Sequence, residues 1–286
     1  MIMDTVIEVK NFSFRYADGE KKALDDVSFS VMQGEFLCVI GSNGSGKSSL
    51  CNALTGLIPS YFAGKMEGSI TIMGDNTAST SVAQLSKRIG LVFQNPFNQL
   101  SYTTSTVEEE LAFGLCNMGV PREEMTPRIW EIAKTIRVEQ LLHKNPLELS
   151  GGQLQRVAIG SALILNPSIL VLDECTTQLD PLGSEEVFDV VKQLNSQGVT
   201  VIMADHDMER VARCADRVLA MEGGRVLAID TPGMVFGDDG LLKHGVDRPD
   251  YAKLGIALSD NGMYFGSVLL TEQEAILAGE GALVSG

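Results

Sequence analysis

Basic residues are scarce in this chain. Lys plus Arg number 22 against 37 Asp plus Glu in 286 residues, giving a net charge of −15. Such a surface argues against DNA, RNA or anionic lipid as a general partner. It does not exclude a small anionic ligand, because a few aligned backbone dipoles outweigh distant side-chain charges. Cysteine is also sparse. Cys38, Cys51, Cys116, Cys175 and Cys214 make an odd count with no C-x-x-C pair. That pattern disfavours a zinc site or a disulfide framework, and buried free thiols in a reducing compartment are expected. Long apolar runs are missing too: none approaches the roughly 20 residues needed to span a bilayer. No basic-then-apolar segment opens the chain, so no secretory leader is expected. The reading is a cytoplasmic protein that reaches a membrane only through a partner.

What the chain does contain is four short, β-branched-rich apolar runs, at residues 35–40, 89–93, 168–172 and 199–204. Runs apolar on both faces suit a buried parallel sheet. Helical patterns lie between them. Asp180-Pro181 reads as an N-cap with proline at the first helical position, Val187, Val190, Val191 and Leu194 repeat at helical spacing, and Gly198 ends the helix. Right-handed strand–helix–strand crossovers are expected. Residues 6–16 and 23–31 alternate apolar and polar around a turn-rich stretch at 17–22, which predicts an antiparallel hairpin with one wet face, and residues 68–73 are expected to join it. Residues of about 95–165 read as an inserted helical subdomain, with helices over 106–118, 121–138 and 151–165. After Val226 the pattern weakens. Short helices are expected at 231–236 and 248–258, and the tail from Ser259 has no assignable pattern.

Gly41-Ser42-Asn43-Gly44-Ser45-Gly46-Lys47-Ser48 fits G-x-x-x-x-G-K-[ST], with an apolar strand before it and a helical pattern over 48–57 after it. The composition has a chemical cause. Backbone N–H groups must converge on phosphate oxygens, and Cβ atoms at those turns would obstruct the approach. The helix N-terminus adds favourable potential. Lys47 is expected on the β- and γ-phosphates, with the Ser48 hydroxyl on Mg²⁺; Ser49 closes the loop. A second signal is the strand at 168–172, which delivers Asp173 and Glu174 at its C-terminal end. There Asp173 can hold Mg²⁺, and Glu174 can orient or deprotonate the attacking water. A strand ending in Asp-Glu alone is weak, and is often a solvated loop; the upstream phosphate loop strengthens it. The fold class is therefore α/β: a P-loop NTPase core of mainly parallel sheet flanked by helices, with an N-terminal antiparallel β-subdomain and an inserted helical subdomain.

Leu149-Ser150-Gly151-Gly152-Gln153 lies just upstream of that strand. Ser150 and Gln153 make a capping box, which accounts for those two but not for two glycines opening a helix. Paired glycines at a helix N-terminus suit a second phosphate grip. With this motif the chain resembles the nucleotide-binding subunit of ATP-binding cassette (ABC) transporters over residues of about 5–230. The resemblance implies that Tyr16 stacks on adenine and that Gln94 senses Mg²⁺ and the membrane partner. It also implies that Leu179-Asp180 communicates across a dimer and that His206 contacts the γ-phosphate. Each has a bland alternative: a packed tyrosine, a loop glutamine, a helix cap, a satisfied histidine. The resemblance further implies a head-to-tail dimer with two sandwiched ATP molecules. Lys47, Ser48, Gln94, Asp173, Glu174 and His206 of one chain would face Ser150, Gly151, Gly152 and Gln153 of the other. Ser42, Ser49, Cys175, Thr177, Gln178 and Asp205 depart from the family's commoner residues.

Phe93 to Leu100, then Thr106 to Glu110 and Ala112-Phe113-Gly114, together with residues 231–236 and 241–249, resemble the energy-coupling factor (ECF) type. Phe97 departs, standing where an acidic residue is frequent. That type implies two ATPase chains, identical or paralogous, beneath a transmembrane coupling protein at the cytoplasmic face of the membrane. A separate membrane protein would bind a vitamin or transition-metal ion. The expected organisation is an ATPase domain over 1–230 and a helical extension with tail over 231–286. Other readings are an ATPase of another ABC class, a soluble ABC ATPase, and a catalytically idle regulatory cassette. A plain P-loop kinase or GTPase would not need residues 149–153, and no guanine-specifying Asn-Lys-x-Asp is present.

Overall fold

A computed structural model describes residues 4–285; positions 1–3 and 286 of the two expected units lie outside the described residues. Ten strands are described: β1 (Thr5–Tyr16), β2 (Leu24–Met32), β3 (Phe36–Ile40), β4 (Gly64–Ile72), β5 (Asp75–Asn76), β6 (Ile89–Val92), β7 (Ile169–Asp173), β8 (Thr200–Ala204), β9 (Arg217–Glu222) and β10 (Arg225–Asp230). The helices that matter here are α1 (Lys47–Leu54), α2 (Val107–Asn117), α3 (Arg122–Thr135), α4 (Gly151–Leu163), α5 (Pro181–Ser196), α6 (Met208–Cys214), α7 (Pro232–Gly237), α8 (Asp250–Asp260) and α9 (Glu272–Ser285).

The strands form two sheets. A four-stranded antiparallel sheet runs β2-β1-β4-β5, and a six-stranded sheet runs β10-β9-β3-β8-β7-β6. Within the larger sheet β9, β3, β8, β7 and β6 are mutually parallel, and only β10 is antiparallel. The alternation of side chains along each parallel strand divides the interior in two. Leu37, Val39, Ile169, Val171 and Ile202 face α1 and the small sheet. Phe36, Cys38, Ile40, Leu170, Leu172, Val201 and Met203 face the helical layer of α2 to α6. Both faces are covered, which is why these strands read as unbroken apolar runs.

The four buried runs became β3, β6, β7 and β8, and the hairpin became β1 and β2 with β4 beside them. The helical stretch produced α2, α3 and α4. β9, β10 and α9 are among the elements not anticipated. β9 and β10 form a hairpin at the sheet edge through Gly223 and Gly224, both at positive φ. β9 (Arg217–Glu222) is buried over Val218, Leu219, Ala220 and Met221, and this run was masked in sequence by the flanking charges. The unassigned tail contains α9, which packs on α8 through a small cluster of Leu269, Ala275 and Ala278 with Tyr251 and Leu258.

The helical layer is keyed by Gly160 in α4. A Cβ built there would lie 2.5 Å from Ile136 Cδ1, 2.8 Å from Leu111 Cδ2 and 3.2 Å from Ile132 Cγ2. The absent side chain lets α2 and α3 close onto α4. Gly160→Val should overpack this junction and cost about 1–3 kcal/mol. The measurement is urea unfolding, with a lower midpoint and an unchanged slope; an unchanged midpoint would refute the packing argument.

Candidate functional site

β3 ends at Ile40 and the chain turns immediately through Gly41 into the phosphate loop. Only glycine fits at this turn: Gly41 has φ of 148°, and a Cβ would lie 2.2 Å from the Met221 carbonyl oxygen on β9. Gly46, at φ of 110°, is pressed against the Ala23 carbonyl oxygen, 2.8 Å from an added Cβ. Gly46 is also the N-cap of α1 and carries no side-chain cap. The first N–H groups of α1 therefore have no capping side chain, as an anion-binding terminus requires.

Lys47 is almost fully buried. Its Nζ donates to the Gly41 carbonyl at 2.9 Å and the Ser42 carbonyl at 3.3 Å, and pairs with Glu174 Oε1 at 3.1 Å. Gln94 Nε2 donates to the other oxygen of Glu174 at 3.1 Å. Ser48 Oγ donates to Asp173 Oδ1 at 3.0 Å. Burial pushes the Asp173 carboxyl above the usual carboxylate range; the Ser48 hydrogen bond opposes the shift and the Glu174 charge adds to it. Glu174 itself sits at a φ of 47°, a left-handed conformation unusual for a residue with a side chain. Its N–H is held by the Ala204 carbonyl at the end of β8, at 3.0 Å. Such outliers persist where surrounding structure over-determines them, and they cluster at functional sites.

Asn43, Gly44, Gly46, Lys47, Ser48, Ser49, Gln94, Glu174 and His206 line one cavity of about 520 Å³. Ala23 and Thr177 complete the wall. Thr177 was visible in sequence only as a departure, and Ala23 gave no signal. Gly41, Ser42 and Ser45 shape the loop without lining the cavity: the Ser45 side chain is buried against Gly41 and its hydroxyl has no partner. Asp173 stands behind Ser48. Tyr16 is nearby but off the wall. Its hydroxyl is 3.0 Å from Ser49 Oγ, and its ring packs edge-on to Phe14 and Phe62 at centroid distances of 4.8 and 6.1 Å. His206 is an exposed member of the lining.

Ser150, Gly151, Gly152 and Gln153 are elsewhere. They line a second cavity of about 470 Å³ with Asp180 and Arg156. Ser150 and Gln153 form the expected capping box at the start of α4. Gly152 also has a packing cause that sequence could not reveal: a Cβ there would lie 3.1 Å from Gly183 Cα in the first turn of α5. Close approach of α4 and α5 thus holds the motif beside Asp180, which caps α5 by accepting from the Gly183 N–H at 2.7 Å.

The chain presents two polar cavities: most of the phosphate loop with Gln94, Glu174 and His206 lines the first, and Ser150 to Gln153 line the second. No helix among the described residues is long and apolar enough to cross a membrane. Residues 24–177 match the ABC transporter family. The chain is 43% identical over 276 residues to the energy-coupling factor transporter ATP-binding protein EcfA1 of Bacillus licheniformis, covering 96% of this chain and 95% of that protein. It is 42% identical to its counterpart in Bacillus subtilis, with the same coverage. Among solved structures it is similar to CbiO1 of Clostridium perfringens, part of an ABC transporter complex, with a TM-score of 0.73 and 30% identity over 91% of this chain and 98% of that one. A second likeness is a dimeric, post-hydrolysis ATP-binding cassette bound to ADP and phosphate, with a TM-score of 0.68 and 30% identity over 79% of this chain and 98% of that one. The chain belongs to the ATP-hydrolysing subunits of the ABC transporter family, of the energy-coupling factor type.

Proposed function

We propose that this chain energises uptake of a vitamin or transition-metal ion, by closing a head-to-tail dimer around two ATP molecules and reopening it after hydrolysis. The observation that carries the reading is the division of polar residues between two separate cavities on one chain. The phosphate loop and Glu174 line one, and Ser150 to Gln153 line the other. Neither encloses a nucleotide alone. A second copy or a paralogue, turned head to tail, supplies the missing wall to each. Residues 1–230 act as the ATPase unit and 231–286 as its extension.

In this reading the loop N–H groups and Lys47 bind the phosphates. Asp173, Ser48 and Gln94 offer hard oxygen donors that suit Mg²⁺, which neutralises developing charge on the phosphates when bound. Glu174 orients and deprotonates the attacking water, His206 contacts the γ-phosphate, and Tyr16 stacks on adenine. The ion pair of Lys47 with Glu174 occupies both groups until a phosphate competes for the ammonium. Gln94 ties Glu174 to the segment that follows β6, so displacement of that segment would reach the attacking base directly. A groove of about 240 Å³ lined by Gly90, Leu91, Phe93, Gln99 and Ser161 lies along the same segment. It suits a helix of the transmembrane coupling protein, with a separate membrane protein binding the substrate. The chain then works at the cytoplasmic face of the membrane.

Three outcomes are expected. Glu174→Gln should lower kcat by at least about 100-fold, the scale of general-base catalysis, while retaining ATP-dependent dimers on size-exclusion chromatography; turnover at the parent rate would exclude the assigned role. Lys47→Ala and Gly151→Asp should each abolish activity alone but regain it when mixed, because a mixed dimer reassembles one intact site; no recovery on mixing would sink the shared-site arrangement. Asp173→Asn should raise the thermal midpoint of the nucleotide-free chain at neutral pH. The folded carboxyl titrates above its unfolded value, so its charge opposes folding once pH exceeds the folded pKa. The gain should therefore shrink as pH falls through that pKa and vanish below the unfolded value. A midpoint independent of this charge would show that burial there is costless.

A further inference from the structure

We infer that Arg210 is a positioning residue for hydrolysis, its guanidinium fixing the turn that carries His206, the turn that carries Glu174 and the start of α5 in one arrangement. The inference rests on reading Glu174 and His206 as the groups that act on ATP.

Arg210 lies on α6 and is only 7% exposed. Its Nη1 donates to Asp205 Oδ2 at 3.0 Å and to Thr176 Oγ1 at 2.7 Å. Its Nη2 donates to Ser184 Oγ at 2.7 Å and lies 3.1 Å from Asp207 Oδ2. The guanidinium is also stacked over the Phe188 ring, 5.6 Å from its centroid. One cation therefore touches three chain segments that face the two cavities.

Each contact sits next to a site residue. Asp205 precedes His206, and its second carboxylate oxygen accepts the N–H groups of His206 at 2.7 Å and Asp207 at 3.0 Å. Its own N–H is held by the Val39 carbonyl, two residues before the phosphate loop. Thr176 lies two residues after Glu174, and its carbonyl accepts the Leu179 N–H at 3.1 Å. Ser184 is in the first turn of α5, where its N–H returns to the Asp180 carbonyl at 2.9 Å. The path from His206 through Asp205 and Arg210 to Thr176 and Ser184 thus joins the first cavity to the Asp180 wall of the second.

An ion pair this deeply buried is a poor means of gaining stability, since its desolvation offsets its attraction and apolar replacements of both partners are commonly tolerated. What a guanidinium supplies that an apolar side chain cannot is direction. Its planar fork fixes several acceptors at set angles, and lysine cannot reproduce that. The network's contribution is therefore geometric. A shift of about 1 Å in the His206 or Glu174 turn lowers turnover by about 10- to 100-fold.

The test compares steady-state ATP hydrolysis, ATP KM and thermal midpoint for the full chain and its variants. Asp205→Ser with Arg210→Met removes the buried pair together; the carboxylate that also loses its partner, Asp207, is 40% exposed and can be solvated. That double variant should keep the parent midpoint and KM but lose about 10- to 100-fold in kcat. Arg210→Lys should fall between the two. A double variant that folds and turns over at the parent rate would overturn the inference. Should it fail to fold, Thr176→Val and Ser184→Ala each remove one acceptor and keep the ion pair. Each should lower kcat several-fold at unchanged KM, measured below a midpoint that the lost acceptor lowers, and parent kcat in both overturns the inference equally. Glu174→Gln separates the two levels. If it is inactive while the network variants run normally, only the positioning role fails. If Glu174→Gln itself turns over normally, the underlying assignment fails.

Discussion

Three parallel strands ending at one level are what the site depends on. In the ladder, Val39 of β3 is opposite Ala204 of β8, and Ala204 is opposite Asp173 of β7. The phosphate loop, the Asp-Glu pair and the histidine turn all leave the sheet within two residues of that level. A slip of one residue in β7 would exchange its two faces, sending Leu170 and Leu172 toward α1 and turning Asp173 away from Ser48. Burial on both faces prevents the slip, because Ile169 and Val171 are committed to one core and Leu170 and Leu172 to the other. The hydrophobic layers thereby set distances among Lys47, Ser48, Asp173 and Glu174 without contributing a polar group to them.

Much of this was legible in the sequence because it has local causes. The phosphate loop is written in glycines whose φ angles and close approaches the fold requires, at Gly41 and Gly46. The buried strands are written in uninterrupted apolar runs, and the α4 start in Ser150 and Gln153. The rest depends on contacts between distant segments. β9 has an apolar run of its own, but its place beside β3 is a pairing of residues 37–40 with 217–220, which no local pattern encodes. The packing cause of Gly152 was hidden for the same reason, since it lies in Gly183 of another helix. The location of Tyr16 against Phe14, Phe62 and Ser49, off the cavity wall, likewise follows from tertiary packing.

The departures from the family's usual residues also gain physical content. Asp205 stands where a smaller hydroxyl residue is common. Its carboxylate is matched by Arg210, and together they reach the unusual stretch after Glu174 through Thr176. Cys175 is buried beside this network, and burial raises its thiol to a pKa of about 12. At that value it is almost wholly protonated at neutral pH, so it behaves as a small apolar residue and leaves the polar network to its neighbours. Cys175, Thr176 and Asp205 thus meet at Arg210, between the two cavities.

The electrostatics of this site bear on the proposed shared-site dimer. Lys47, Asp173 and Glu174 are gathered at the sheet's end, and burial disfavours the charged form of the Asp173 carboxyl. A nucleotide phosphate with its cation would relieve that arrangement, giving Lys47 an anion and Asp173 a positive neighbour. In the proposed dimer, binding energy that would otherwise only tighten the nucleotide would be available to draw a second chain's Ser150 to Gln153 onto it. In the proposed dimer, loss of the γ-phosphate on hydrolysis would take the electrostatic reason for closure with it.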